Sequence, residues 1–113
     1  LGLLLTLKRP NCNAAVTVVH TRVPDMPAFT RQADILIAAA GAPGLITADM
    51  VKPGAAVVGA GITLQGKKLA SDLQEDVKEV AGWITPRLGG VGPMTVAMLI
   101  QNTVRAAQQH ASG

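Results

Sequence analysis

The sequence predicts an α/β fold: a parallel sheet with helices on both faces. Short, unbroken apolar runs rich in β-branched residues alternate with segments of helical character, the pattern of βαβ units. The strand runs are continuously apolar rather than alternating, as in sheets covered on both sides. Nearly every run also ends in a small-residue turn. The 113 residues suit one domain, and a hydrophobic fraction of 49% is enough to build a core.

Taken in order, Leu1-Gly2-Leu3-Leu4-Leu5-Thr6-Leu7 reads as the end of a buried helix, stopped near Pro10. Ala15 to His20 is a β-branched run and reads as the first strand. Pro24 to Ala33 reads as a short helix, and Asp34 to Ala40 as a second strand buried on both faces. Thr47 to Val51 forms a helical turn closed by Pro53-Gly54. Ala55 to Val58 is the third strand, and Leu64 to Leu69 a small hairpin around Gly66. Ser71 to Ala81 reads as a helix from about Asp72, and Gly82 to Thr85 as a last short strand. The closing helix runs from about Pro93 to Gln109, with Pro93 at its first position, where a missing N–H costs nothing.

Composition removes several function classes. The chain has no Tyr and one each of Trp and Phe, so it offers no aromatic platform for nucleic-acid bases. Its net charge of +3 is scattered. Cys12 is the only cysteine, which leaves no internal disulfide and no cysteine-based metal set, and a reducing compartment is compatible. No stretch is long and apolar enough to span a membrane. Leu1 to Leu7 has its basic residues behind it, unlike a signal peptide. The chain begins at Leu and reads as a piece of something longer.

In open parallel sheets, ligands bind beyond the carboxyl ends of the strands. Four turns fall there: His20-Thr21-Arg22, Ala40-Gly41-Ala42-Pro43-Gly44, Gly59-Ala60-Gly61-Ile62, and Thr85 to Gly92. Together they predict a rim where backbone approaches a flat ligand, with Ala40, Gly41, Gly61 and Ile62 as contact positions. Gly89-Gly90-Val91-Gly92-Pro93-Met94-Thr95 opens the closing helix. Its free N–H groups and the Thr95 hydroxyl are read as pointing out of the helix start. Gly59-Ala60-Gly61 lacks the third glycine of a dinucleotide fingerprint and reads as a tight turn under a ribose or base. Thr21-Arg22 presents no carboxylate. In dinucleotide folds an acid near this position holds the ribose 2′-OH, whereas a basic residue suits a 2′-phosphate. No Ser-His-Asp set and no metal-ligand cluster is apparent. His20 reads as a strand cap. Met94 to Ile100 is apolar nearly all round, so this half of the helix needs cover on more than one side.

Trp83-Ile84-Thr85-Pro86, followed by Gly89-Gly90-Val91-Gly92-Pro93-Met94-Thr95-Val96-Ala97-Met98-Leu99, resembles the C-terminal signature of the methylenetetrahydrofolate dehydrogenase/cyclohydrolase family. Val16 to Arg22, Ala33-Asp34-Ile35-Leu36, Gly41 to Ile46, Lys52-Pro53-Gly54-Ala55 and Gly61-Ile62 match the same family in the same order. The resemblance covers nearly the whole chain. It implies that residues 1–113 are a fragment of the NAD(P)-binding domain, Rossmann-like. The first strand and glycine-rich loop, with the family's Gly-Arg-Ser phosphate motif, would lie before Leu1. The catalytic lysine and tyrosine would belong to an N-terminal domain on which the final helix partly packs, leaving no catalytic residue here.

The family interconverts 5,10-methylene- and 5,10-methenyl-tetrahydrofolate with NADP, then hydrolyses the methenyl form to 10-formyl-tetrahydrofolate. Carried over, Thr21 falls at a serine contacting the 2′-phosphate, with Arg22 beside it. Ile62 falls at a cofactor-contacting isoleucine, and Gly92 and Thr95 in the segment lining the nicotinamide end. Leu88, Gly89 and Gly90 fall next to the substrate. The resemblance also implies a homodimer in the cytoplasm or mitochondrial matrix. This chain departs from the family at Arg87-Leu88, where Val-Pro is usual, at Gly59, where Asp is usual, and at Thr63, where Asn is usual. Those departures leave one rival reading, a non-catalytic nucleotide-binding or interaction module that kept the fold.

Overall fold

The computed structural model describes residues 1–113. Three strands form the parallel sheet: β1 (Ile35–Ala38), β2 (Ala56–Gly59) and, further along the chain, Trp83–Ile84. Between them β3 (Ile62–Gln65) and β4 (Lys68–Ser71) make a separate antiparallel hairpin, so Trp83–Ile84 is β5. The sheet order is β1-β2-β5, with Leu36 beside Val57 and Val57 beside Ile84. Parallel neighbours need crossovers. The first passes through a 3-10 turn at Ala48–Met50; the second carries the hairpin and a 3-10 turn at Glu75–Glu79. Gly66 turns the hairpin at φ +61°, a conformation L side chains rarely adopt.

Helix α1 (Gly2–Leu5) and helix α2 (Met26–Thr30) precede the sheet, and α3 (Val91–Ser112) ends the chain. Asp25 caps α2 by accepting from the Ala28 N–H at 3.2 Å. At the foot of β1, the Lys52 ammonium lies 2.6 Å from the Asp34 carboxylate. This hydrogen bond, and then the ammonium charge, hold the Asp34 carboxyl below its ordinary range.

The core is small. Ala38, Ile46, Met50, Val51, Ala55, Val57 and Val77 form one cluster, with Leu36, Leu45 and Leu73 packed at its edge. It occupies one face of the sheet, the face of Leu36, Ala38 and Val57. The reading of β1 as buried on both faces is therefore corrected: Ile35 and Ile37 are exposed. Trp83, in register with Ala56 and Ile35 on that outer face, is 79% exposed. Helix α3 stands off from this face with none of its residues buried. A groove of about 820 Å³ lies between them, with Val58 and Trp83 on the sheet side and Met94, Met98 and Leu99 on the helix side. The Cα radius of gyration is 16.3 Å, against about 13 Å for a compact chain near this size.

Other expectations are also corrected. Leu1 to Leu7 contains a helical turn, but an exposed one, with Leu3 and Leu4 facing solvent. Ala15 to His20 joins no strand ladder. β-Branched residues favour extended backbone, but a strand also needs a partner with free N–H and C=O groups, and none pairs here. Ser71 to Ala81 is not one helix, because Ser71 ends β4 and Leu73 bridges to Ile46. The backbone of Asp72 and Gln74 is spent on the same neighbour. Helix α3 begins at Val91, which puts Pro93 at its third residue; the first-turn N–H groups have no intrahelical partner, so proline fits there too. No helix is long and apolar enough to cross a membrane.

Candidate functional site

The carboxyl ends of β1, β2 and β5 are fastened to one another. Ala60 and Gly61 both donate their N–H groups to Ala38 O, at 2.8 and 3.1 Å. The Gly59 N–H donates to Thr85 Oγ1 at 2.8 Å, joining the ends of β2 and β5. The Thr63 hydroxyl reaches from β3 to Gly41 O at 3.2 Å. Three of the four expected turns therefore form one ledge, which brings together Ala40, Gly41, Gly61 and the start of β3 at Ile62.

Asp72 lies beneath the ledge. Its Oδ2 accepts from the N–H groups of Ala40 at 2.7 Å and Gly41 at 2.9 Å. The residue is fully buried, and its Oδ1 has no hydrogen-bond partner. A Cβ on Gly61 would lie 1.8 Å from Oδ2, so only glycine leaves room for the carboxylate. Gly41 has φ +65°, and a Cβ there would meet nothing within 4 Å, so its outer side is open to a ligand.

The departures from the family pattern have identifiable places here. A Cβ on Gly59 would lie 2.7 Å from Leu73 Cδ1, so Leu73 fills the space where a side chain would stand. Thr63 holds the Gly41 carbonyl, as noted. The Arg87 guanidinium donates to Leu69 O and lies 3.7 Å from the Glu75 carboxylate, pinning the loop after β5 to the hairpin.

That loop leads to Leu88, exposed, and to Gly89 at φ +75°. Gly90 sits close to Pro86 O, where a Cβ would come within 2.8 Å, while a Cβ on Gly92 would meet nothing within 4 Å. The Thr95 hydroxyl does not point out of the helix start as a free donor. It donates to Val91 O at 2.8 Å, one turn back, and so has only lone pairs to offer a ligand.

Thr21 and Arg22 lie in an exposed turn after the unpaired segment Ala15 to His20. The Arg22 N–H donates to His20 Nδ1 at 3.2 Å, which gives the histidine a local role. The Arg22 side chain takes part in none of the chain's ion pairs. No hydrogen bond links this turn to the ledge.

Sequence reading missed Asp72 as part of the site. Its only signal was a lone carboxylate between Ala70-Ser71 and Leu73, and that spelling equally suits the start of a helix.

Comparison with known proteins adds an independent line. Residues 1–111 match the family model described as tetrahydrofolate dehydrogenase/cyclohydrolase, NAD(P)-binding domain. The chain is 63% identical over 111 residues to the bifunctional protein FolD of Syntrophotalea carbinolica, an alignment covering 98% of this chain and 38% of that protein. It superposes with TM-score 0.90 and 45% identity on a 5,10-methylenetetrahydrofolate dehydrogenase of the silkworm Bombyx mori, covering 99% of this chain and 41% of that one. The Trypanosoma brucei methylenetetrahydrofolate dehydrogenase-cyclohydrolase, determined with NADP cofactor and inhibitor, superposes with TM-score 0.80 and 38% identity, covering 92% and 38%. The chain thus spans about two-fifths of the length of the relatives it matches.

Proposed function

The chain belongs to the tetrahydrofolate dehydrogenase/cyclohydrolase family, as its NAD(P)-binding domain, and from that premise we propose that it is the cofactor-binding part of a bifunctional enzyme of one-carbon folate metabolism. The enzyme oxidises 5,10-methylene-tetrahydrofolate to the 5,10-methenyl form with NADP and hydrolyses the product to 10-formyl-tetrahydrofolate. The observation that carries this reading is the ledge: three strand-end turns fastened together at the carboxyl edge of a parallel sheet, with an open glycine at its lip.

The residues present fit NADP. Gly41 and Gly92 have open faces, which leave room for a flat ligand against the backbone. At Thr21-Arg22 there is a hydroxyl and a guanidinium free of any carboxylate partner, which suits a 2′-phosphate. Bound NADP supplies the hydride acceptor. This chain orients it: Ala40, Gly41, Gly61 and Ile62 form the surface it lies on. Gly92 and the Thr95 oxygen line the end nearest the folate, with Leu88, Gly89 and Gly90 beside the substrate. Homology to the NADP-bound trypanosomal enzyme supports the cofactor assignment. The groove under α3 supports a further element of the reading, that the first half of this helix packs on a separate catalytic domain. We extend the proposal to a homodimer of the cytoplasm or mitochondrial matrix that acts on neither nucleic acid nor membranes.

Two outcomes are expected. NADP binds more tightly than NAD, and Arg22→Ala and Thr21→Ala weaken NADP while leaving NAD nearly unchanged. A charge-assisted hydrogen bond contributes about 1.5–3 kcal/mol, so the loss is roughly ten- to a hundredfold. Titration of both cofactors into wild type and variants checks this; equal losses for the two, or a preference for NAD, would refute the 2′-phosphate assignment. Second, the 113-residue chain alone turns over neither folate reaction. Leu88 to Thr95 carries no acidic, basic or thiol side chain, its one hydroxyl, on Thr95, donates to Val91 O, and the neighbouring Arg87 is bound to Leu69 and Glu75. Assay with methylene-tetrahydrofolate and NADP decides it, and turnover comparable to a full-length relative would count against it.

A further inference from the structure

The cofactor reading makes no use of Asp72, the most completely enclosed carboxylate in the chain. Asp is seldom fully buried, and a buried carboxylate normally has a cation or a set of donors around it. No Lys or Arg pairs with Asp72. Its donors are two consecutive backbone N–H groups, those of Ala40 and Gly41. Its own N–H donates to Gly61 O at 3.1 Å, and its C=O accepts from Ile46 N–H at 2.9 Å. One residue therefore grips the turn after β1, the turn after β2 and the segment leading to the first crossover.

Two consequences follow from this geometry. The Ala40 and Gly41 N–H groups point inward to the carboxylate, so this part of the turn after β1 keeps neither donor for a phosphate. What it shows the ligand is the opposite surface, at the open side of Gly41. In addition, the two peptide units that flank the Gly41 Cα are each fixed, the one before it through its N–H by Asp72 and the one after it through its C=O by the Thr63 hydroxyl.

We propose that Asp72 is the positioning residue of the cofactor ledge: its sealed carboxylate sets the outward surface of the Ala40–Gly41 and Gly61–Ile62 turns without touching the cofactor. The inference rests on the NADP reading above. It assigns the Ala40–Gly41 part of that turn to an uncharged part of the cofactor, a ribose or ring rather than a phosphate.

The test uses Asp72→Ala and Asp72→Asn in the full-length protein, with Val77→Ala as a core control that makes no hydrogen bond to the ledge. NADP affinity is read by calorimetry, stability by urea unfolding, and protection of the Ala40 and Gly41 amides by hydrogen exchange. Asparagine keeps an oxygen able to accept both N–H groups but places an NH2 where Oδ1 has no partner, so it loses stability and keeps the turn. Asp72→Ala is expected to weaken NADP about tenfold and to expose both amides to exchange. Asp72→Asn should stay within about threefold of wild type in affinity, and Val77→Ala should lose stability with affinity unchanged. Wild-type affinity in Asp72→Ala, even with its amides unprotected, would overturn the positioning role and leave the NADP reading standing. Equal weakening by Asp72→Ala and Val77→Ala at matched stability would do the same. A wild-type protein without NADP affinity would overturn both.

Discussion

Gly61→Ala is expected to destabilise the fold by about 3 kcal/mol or more, although alanine is the smallest possible addition. The new methyl would lie 1.8 Å from Asp72 Oδ2 and 2.2 Å from its Cγ, far inside contact distance. Overpacking a tight interior costs about 1–3 kcal/mol by itself. Asp72 has nowhere to retreat, because it is fully buried and bonded through its backbone to Gly61 and Ile46. If the carboxylate swings away, the Ala40 and Gly41 N–H groups lose their acceptor, at about 1–3 kcal/mol for each buried group left unpaired. Urea unfolding of the single variants and of Gly61→Ala with Asp72→Ala forms a double-mutant cycle. The double variant should be clearly less destabilised than the sum of the singles, because removing the carboxylate relieves the clash. Additive losses would mean the two residues do not oppose each other as placed.

Ile46→Ala is expected to cost about 2–5 kcal/mol, the range for deleting a buried aliphatic side chain. Ile46 is 3% exposed and belongs to a core of only seven buried apolar residues, so few neighbours can close over the cavity. Its backbone is committed on both sides, N–H to Asp72 O and C=O to Gln74 N–H, so relaxation of the segment is limited. Since a typical domain is stable by only about 5–15 kcal/mol, a visible unfolded fraction in mild denaturant is the expected readout. Ile35→Ala provides the contrast: Ile35 is 65% exposed on the outer face, and the change should stay within about 0.5 kcal/mol. Equal unfolding midpoints for the two variants would show that the core does not lie where described.

The parts of the fold that were readable are those specified by neighbours in sequence. The apolar runs at Ile35–Ala38 and Ala56–Gly59 form strands, and Trp83–Ile84 joins the same parallel sheet. Glycine at position 66 marked the hairpin because its backbone has positive φ. The elements that misled depend on partners distant in sequence. Ala15 to His20 has the composition of a strand, yet strand identity is settled by hydrogen bonds to another segment, and this one makes none of that kind. Ser71 to Ala81 has helix-forming residues, but Leu73 and Gln74 are used by Ile46, far earlier in the chain. At the site, the small-residue turns were legible because glycine positions are punctuation in any sequence. The carboxylate that holds them was not. A single Asp carries no periodicity, and its importance comes from enclosure by Gly61, Ala40 and Gly41, which sequence order alone does not display.

The uncovered outer face of the sheet changes what a melting temperature measured on this protein means. Where Ile35, Ile37, Trp83 and the apolar stripe of α3 stay in water, the chain forgoes the burial that stabilises ordinary domains of its length. Any surface that closes over them binds the folded form and has nothing equivalent to bind in the unfolded one. By mass action its free energy of association becomes folding free energy, growing with the logarithm of its concentration or effective concentration. Stability is then a shared property of the chain and whatever covers that face, and a substitution on the covering surface is felt as unfolding here, far from the residue that was changed.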